Sequence, residues 1–116
     1  MIDREYVEEW LNRLKKYWFN KEIENAVSLF INTRYYQETP FMEPYTNIDE
    51  IRKEWQHISD ENVQEIEFNL LAIEDTTAIV EWILKQNDVN YDGIYEIKFN
   101  NDKECVYFKS WEMSNE

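Results

Sequence analysis

The sequence is poor in residues that build flexible or chemically specialised segments. Among 116 residues there are one glycine, two prolines, one cysteine and one histidine. A single glycine excludes a glycine-rich phosphate-binding loop, and a single cysteine excludes an intrachain disulfide. Cys105 and His57 form neither a paired-cysteine nor a His-x-x-x-His zinc motif. We therefore expect no metal and no cofactor, and with no linker or internal repeat, residues 1–116 are predicted to form a single domain.

Basic residues and long apolar runs are also scarce. Lys and Arg number 12 against 25 Asp and Glu, which gives a net charge of −13 at pH 7. That charge repels phosphate backbones and anionic lipid headgroups, so nucleic acid and membranes are not expected as partners. No apolar run approaches the ~20 residues of a membrane-spanning helix. The acidic start, Met1–Glu5, is unlike a signal peptide, and a cytoplasmic location is the expectation.

Aromatic side chains, by contrast, are abundant. Hydrophobic residues make up 43% of the chain and aromatic residues 16%, with 5 Trp, 8 Tyr and 6 Phe. A disordered chain of this composition would leave too much apolar surface in water. The sequence therefore predicts a globular domain with an aromatic-rich core.

The first half of the chain has helical periodicity. Apolar residues recur every three or four positions after Asp3, which predicts an amphipathic helix beginning there. Asn20 is the predicted N-cap of a second, shorter helix. A short strand is predicted over 34–38, ending before a proline. A third helix is predicted to begin at Asn47, because Asn47 and Glu50 have capping-box spacing.

Beyond His57 the hydrophobic period becomes two, which predicts four strands joined by turns. Helices followed by an antiparallel meander are typical of the α+β class. The strand face expected to receive the helices carries Phe68, Val80, Trp82, Ile97, Phe99 and Phe108. The opposite face is too apolar to be left in water, so we expect a second copy to cover part of it in a homodimer. Its apolar residues are Ile79, Ile83, Ile94, Tyr107 and Trp111.

Several segments carry a family resemblance in their order and spacing, at 26–30 (AVSLF), 39–45 (TPFMEPY), 47–55, 78–82 (AIVEW), 91–99 (YDGIYEIKF) and 108–111 (FKSW). Together they resemble the SnoaL-like branch of the nuclear transport factor 2-like superfamily over nearly the whole chain. The resemblance implies a cone-shaped α+β barrel of the cystatin-like kind, with N-terminal helices in the concavity of a curved, mainly antiparallel sheet. Members include ketosteroid isomerases, polyketide cyclases and dehydratases, so the resemblance also implies a pocket at the open end.

Two positions depart from the pattern of that family. Relatives usually have glycine where Asn47 stands, and asparagine is the residue next most able to take a left-handed turn. Relatives tend to have an acid where Ser110 stands, so any chemistry that depends on that acid is in question here.

Ketosteroid isomerase chemistry needs a carboxylate base in an apolar cleft and a donor facing the substrate oxygen. Glu81 and Glu38 are the candidate bases, since apolar surroundings would raise their pKa, and Tyr36 is the candidate donor. The alternative for Glu81 is the outer sheet face, paired with Lys98 or Lys109. Further candidates of the same two kinds are Glu112, Tyr17 and Tyr35.

The aromatic residues are candidates for a ligand pocket as well as for the core. A cone mouth lined by indole and phenol rings would suit a flat or cyclic apolar ligand with one or two polar atoms. The residues assigned to ligand contact are Trp10, Tyr17, Tyr36, Trp55, His57, Trp82, Phe108 and Ser110. For His57 the alternative is interaction with the dipole at the end of the third helix, and Cys105 is expected to be a small packing residue.

Two functions remain open at the level of sequence. The first is binding of a small hydrophobic or aromatic molecule, either alone or with cofactor-independent isomerase, cyclase or hydrolase chemistry. The second is a non-catalytic, dimeric interaction module in which the fold is only a scaffold. The sequence does not choose between them, because a pocket-bearing fold hosts many functions.

Overall fold

The amphipathic N-terminal segment forms helix α1 (Arg4–Phe19) in the computed structural model, which describes residues 2–115. The carboxylate of Asp3 caps the helix by accepting the Tyr6 backbone N–H at 2.8 Å. The predicted start at Asp3 is therefore confirmed. The buried stripe of α1 is Val7, Trp10, Leu11 and Leu14.

The second helix, α2 (Ile23–Ser28), begins later than the sequence predicts. Asn20 ends α1 instead of starting α2, because its backbone N–H donates to the Lys16 carbonyl at 3.0 Å and the Lys21 N–H donates to the Trp18 carbonyl at 3.1 Å. Lys21 follows in the left-handed region with φ 58°, which turns the chain before α2. The predicted N-cap at Asn20 is wrong, because closing the last turn of α1 uses that residue.

A short strand, β1 (Tyr35–Gln37), precedes helix α3 (Ile48–Trp55), and a 3-10 helix (Gln56–Asp60) continues from α3. The predicted cap of α3 is confirmed, because the Asn47 side chain accepts the Glu50 backbone N–H at 3.0 Å. Glu50 returns the interaction by accepting the Thr46 backbone N–H at 3.0 Å.

The remaining chain forms four long strands, β2 (Val63–Glu74), β3 (Thr77–Gln86), β4 (Val89–Phe99) and β5 (Cys105–Ser114). The sheet order is β1-β5-β4-β3-β2. Neighbours among β2 to β5 are antiparallel, whereas β1 pairs with β5 in parallel, with Tyr36 opposite Phe108. The predicted α+β fold with a mainly antiparallel sheet is confirmed.

The helix-facing side of the sheet is the predicted one, with one local exception in β2. Ile66 and Leu70 are buried, but the pairing of β2 with β3 shifts register between Leu70 and Ala72. A bulge of this kind moves the following side chains to the opposite face. Strict alternation with Phe68 and Leu70 would place Ala72 on the helix-facing side, but Ala72 is exposed and Ile73 packs against the core instead.

The opposite side of the sheet is partly exposed. Trp111 is 39% exposed and Ile83 is 37% exposed, and Ile94 lies opposite Trp111 in the β4–β5 pairing. The Lys109 ammonium lies 4.6 Å from the centre of a Trp111 ring, so an aliphatic stem and a charge cover part of this surface. A homodimer through this face stays a prediction. No helix within residues 2–115 is long and apolar enough to cross a membrane.

Candidate functional site

A cavity of about 220 Å³ opens between α3, the end of α1 and the strand ends of β3, β4 and β5. Aromatic side chains make most of its wall: Trp18, Tyr36, Trp55, Trp82, Tyr91, Tyr95 and Phe108. Ile58 and Leu84 add aliphatic surface. Polar groups enter from several elements: Glu38, Glu54, His57, Glu61, Gln86, Ser110 and Glu112. An apolar concave wall with a few convergent polar groups is typical of a small-molecule site.

Strand alternation explains much of this lining. Side chains two residues apart share a sheet face, so Trp82, Leu84 and Gln86 of β3 all face the cavity. The same rule places Phe108, Ser110 and Glu112 of β5 along one line. Each line passes from apolar to polar toward the strand end, and the cavity therefore has an apolar base and a polar rim.

Gly93 and Ser110 hold the indole of Trp82 across the cavity wall. A Cβ at position 93 would lie 2.6 Å from the Trp82 ring and 2.3 Å from the Trp111 carbonyl oxygen, so no larger residue fits without displacement. The Trp82 indole N–H donates to the Ser110 hydroxyl at 3.0 Å. The Trp82 ring stacks on Tyr95 with centroids 5.3 Å apart. The departure at Ser110 from the family pattern thus serves to orient a wall residue.

The most distinctive titratable group in the cavity is Glu38, which directly follows β1. The Tyr36 hydroxyl donates to its carboxylate at 2.8 Å. Burial, and then the negative charge of Glu54, raise the pKa of Glu38 to about 7, although the Tyr36 hydrogen bond acts in the opposite direction. Glu38 is therefore able to give or take a proton near neutral pH.

Two other carboxylates, those of Glu54 and Glu112, line the cavity with Glu38. Glu54 of α3 accepts a hydrogen bond from the Tyr45 hydroxyl at 2.7 Å, and this contact is the largest cause that raises the pKa of Tyr45 to about 12. Burial raises the pKa of Glu112 at the end of β5. The negative charge of Glu112 also contributes to the raised pKa of Glu38, so both of the other carboxylates act on Glu38.

Some polar atoms of the wall have no hydrogen-bond partner among the described residues. They are the indole nitrogens of Trp18 and Trp55 and the side-chain oxygen of Gln86. Buried polar atoms are normally paired, and an unpaired one costs about 1–3 kcal/mol. These atoms belong to residues of the cavity wall, but each of them is shielded from the open space of the cavity.

The structure brings seven of the residues assigned from the sequence into this one cavity. They are Tyr36, Glu38, Trp55, His57, Trp82, Phe108 and Ser110. They come from β1 and its end, α3, the 3-10 helix, β3 and β5. His57 lies on the exposed side of the 3-10 helix, at the rim.

Glu81 does not reach the cavity. It alternates with Val80 and Trp82, which face the helices, so its side chain lies on the outer sheet face. The expected ion pair of Glu81 with Lys98 or Lys109 is wrong. The residues opposite Glu81 on the neighbouring strands are Asn69 and Ile94.

Trp10 and Tyr17 are the other two assigned residues that the cavity lining excludes. Trp10 is 3% exposed and packs edge-on against Phe30 and Phe99, with ring centroids 5.7 and 5.6 Å apart. The rotation of about 100° per helical residue points Trp18, and not Tyr17, into the cavity. Trp10 is thus a core residue, as its helical spacing also allowed.

Sequence reasoning missed several members of the site. Tyr91 and Tyr95 alternate around Gly93, a period-two signal that could have placed them beside Trp82. Glu112 was a candidate acid and extends the line of Phe108 and Ser110. For Glu54 and Glu61 the sequence carries no such signal, because Glu54 follows the basic pair Arg52 and Lys53 on a predicted helix and Glu61 follows Asp60 in a polar stretch.

Solved structures share this fold over most of the chain. An epoxide hydrolase/cyclase-like enzyme, SalBIII, with a role in pyran ring formation in the polyether salinomycin, superposes with a TM-score of 0.81 at 10% identity, covering 97% of this chain and 95% of that one. An NTF-2 like protein of unknown function from Burkholderia xenovorans gives 0.75 at 14% identity, covering 93% and 83%. A protein from Shewanella denitrificans described as a SnoaL-like polyketide cyclase superposes with a TM-score of 0.66 at 12% identity, covering 91% of this chain and 89% of that one.

These likenesses confirm the NTF2-like, SnoaL-like architecture that the sequence resembles. At identities of 10–14% these likenesses establish the fold alone and do not assign an activity. No protein-family model matches the chain, and no curated protein sequence matches it. The function must therefore be argued from the cavity itself.

Proposed function

We propose that this protein binds a small, cyclic and largely apolar molecule in the cavity and acts on it by cofactor-independent acid–base catalysis, with Glu38 as the proton-transferring group. The observation that carries the proposal is the carboxyl of Glu38 at an aromatic wall, with a pKa of about 7. General acid–base catalysis is most efficient when the pKa of the catalytic group lies near the working pH.

The charges around Glu38 favour one kind of acid–base reaction. An enolate or other oxyanion formed beside Glu38 would be repelled by Glu54 and Glu112, and no lysine or arginine of the described chain lines the cavity. Positive charge developing on a substrate would instead be stabilised. The arrangement suits hydrolase or cyclase chemistry at a ring oxygen. Glu38 gives its proton to that oxygen as its C–O bond breaks, and the water or substrate hydroxyl that forms the new C–O bond releases a proton that restores Glu38.

The Tyr36 hydroxyl has a positioning role in this scheme. It donates to one oxygen of Glu38 at 2.8 Å, which leaves the other oxygen for the substrate. Burial and the nearby Glu38 charge raise the pKa of Tyr36 well above its ordinary value, so its proton stays in place. Tyr36 therefore fixes the direction of the carboxyl without exchanging its own proton.

Ligand binding is tested first by thermal shift against steroids, polyketide-like aromatics, lactones and epoxides. A ligand at ~100 times its Kd stabilises the fold by about 2.7 kcal/mol, which raises the melting temperature of a small domain by several degrees. With a ligand class in hand, Glu38→Gln should keep binding and lose turnover by at least ~100-fold.

Glu81→Gln is the matched control, because it makes the same change on the outer sheet face. It should leave turnover unchanged. Full turnover in Glu38→Gln would reject Glu38 as the proton-transferring group, and a kcat/KM profile without a limb near pH 7 would count against it as well.

A further inference from the structure

The cavity contains a concentration of negative charge. Four carboxylates line it: Glu38, Glu54, Glu61 and Glu112. Within residues 2–115, the lining includes no lysine or arginine, and His57 is its only side chain able to become positive. His57 lies at the exposed rim, so it leaves the interior charge uncompensated.

The groups that contact these carboxylates are neutral. The donors to Glu38, Glu54 and Glu61 are the hydroxyls of Tyr36 and Tyr45 and the Asn87 side-chain amide. The four ion pairs found in the described chain all lie elsewhere, on exposed acids of α1, α2 and α3. Glu38, Glu54 and Glu61 are partly buried and Glu112 is exposed, and none of the four is in an ion pair within residues 2–115. Partly buried carboxylates favour a positive partner.

The aromatic wall adds a second feature that attracts a positive charge. The rings of Trp82 and Tyr95 stack on each other, and the rings of Trp18 and Trp55 meet edge-to-face with centroids 5.3 Å apart. Indole and phenol faces attract cations through the ring quadrupole, tryptophan most strongly.

A bare metal ion is a poor occupant of this space. No three His, Cys, Asp or Glu side chains among residues 2–115 are grouped closely enough to hold one. Metal ions need several ligands at short, fixed distances, whereas an organic ammonium spreads its charge over a larger volume. Carboxylates dispersed over an aromatic wall fit the second kind of cation.

We infer that the ligand of this cavity is a compact organic cation, an ammonium group carried on an apolar ring or chain. The inference rests on the proposed function and specifies its ligand class. The ammonium lies between the aromatic faces and the carboxylates of Glu54 and Glu112, and the apolar body fills the base of the cavity against Phe108 and Leu84.

The test compares two probes of nearly identical shape, benzyltrimethylammonium and its neutral carbon isostere neopentylbenzene, at matched ionic strength and pH 8. Affinity for the full chain is measured by calorimetry or by quenching of tryptophan fluorescence. The cation should bind at least ~10-fold more tightly, as cation–π and carboxylate contacts act together.

Charge-neutral variants locate the effect. Glu54→Gln and Glu112→Gln should each reduce the preference for the cation several-fold, and Glu54→Gln keeps an oxygen for the Tyr45 hydroxyl. Glu67→Gln is the control, because it removes one charge from an exposed position of β2 outside the cavity. It should leave the preference unchanged, and the melting temperature of each variant reports whether it is folded.

The failures of the two proposals are distinguishable. If the neutral isostere binds as tightly as the cation, the charge inference is overturned and ligand binding by the cavity stands. If the cation binds equally well to Glu54→Gln, Glu112→Gln and Glu67→Gln, its site is not this cavity and the inference also fails. Binding of neither probe overturns the inference, and a positive screen with neutral ligands would then keep the proposed function.

Discussion

The two ends of the helix-facing sheet surface differ in how completely they are filled. At the end near Phe99, Trp10 meets Phe30 and Phe99 edge-on, and Ile97, two residues before Phe99 on β4, is fully buried. At the other end, the inward-facing side chains of β3 and β5, as far as Gln86 and Glu112, line an open cavity. One continuous sheet face thus serves as core at one end and as site at the other.

This difference shows that the residue pattern of a strand does not determine whether its inward-facing side chains pack in the core or line a cavity. Trp82 and Phe108 would be counted as core residues from their alternation, and both are 3% exposed. They nevertheless line the cavity, together with residues of α3 and the 3-10 helix. Packed rings contribute stability, and the rings at the boundary form the wall of the site.

The largest expected effect is at the filled end. Phe30→Ala removes a fully buried ring that contacts Trp10, Tyr36 and Phe108, so the free energy of unfolding should fall by about 3–5 kcal/mol. Urea denaturation measures this directly. Phe41→Ala is the matched control, because Phe41 is fully exposed and its loss should change stability by less than about 0.5 kcal/mol. Equal effects of the two substitutions would contradict a packed core at this end.

A smaller effect of opposite sign is expected at the open end. The pKa of Glu38 is raised from 4.5 to about 7 in the folded protein, so between these pH values the native state binds more protons than the unfolded state. Stability contributed by this group therefore falls as the pH rises from 4.5 to 7. Glu38→Gln should be more stable than the wild type by about 2–3 kcal/mol at pH 8 and by little at pH 5.

Other ionisable side chains line the cavity beside Glu38, namely those of Glu54, Glu61, Glu112 and His57, so the measured quantity is the difference in stability between variant and wild type at each pH. Glu81→Gln on the outer face is the control and should show a flat difference. A pH-independent difference for Glu38→Gln would mean that its carboxyl is not held protonated by the cavity.

The smallest effect on stability is expected on the opposite sheet face. Trp111→Ala removes a ring that is 39% exposed, so the folded chain should lose little stability. If a second copy covers this face, as the sequence predicts, sedimentation should show weaker self-association, with Phe41→Ala as an exposed aromatic control. An unchanged sedimentation profile would count against a dimer through this face.

Local signals in the sequence were sufficient for most of the fold. The side chains of Asp3 and Asn47 cap α1 and α3 as predicted, because a cap depends on residues within one turn. The errors came where two local signals compete or where pairing intervenes. Asn20 is a good cap at either side of a turn, and the face of Ala72 depends on a bulge set by pairing with β3.

The site was partly predictable for the same reason. Tyr36, Glu38 and Trp82 were identified because they stand among apolar residues in predicted strands or directly after one. Glu81 has the same appearance in sequence, and only the face of β3 separates it from the site. Glu54 could not be predicted, since its importance comes from the approach of α3 to the end of β1.

Composition and periodicity by themselves determined that this chain is α+β, aromatic in its core and strongly acidic, because those properties follow from residue type and short-range spacing. Only the tertiary structure decided which end of the sheet stays open and which acids meet there. Glu38, Glu54, Glu61 and Glu112 come from separate parts of the chain, and the charges of Glu54 and Glu112 raise the pKa of Glu38 only because the fold brings these residues to one cavity. Electrostatic energy depends on the distance between charges in space, and the order of the residues does not by itself determine that distance.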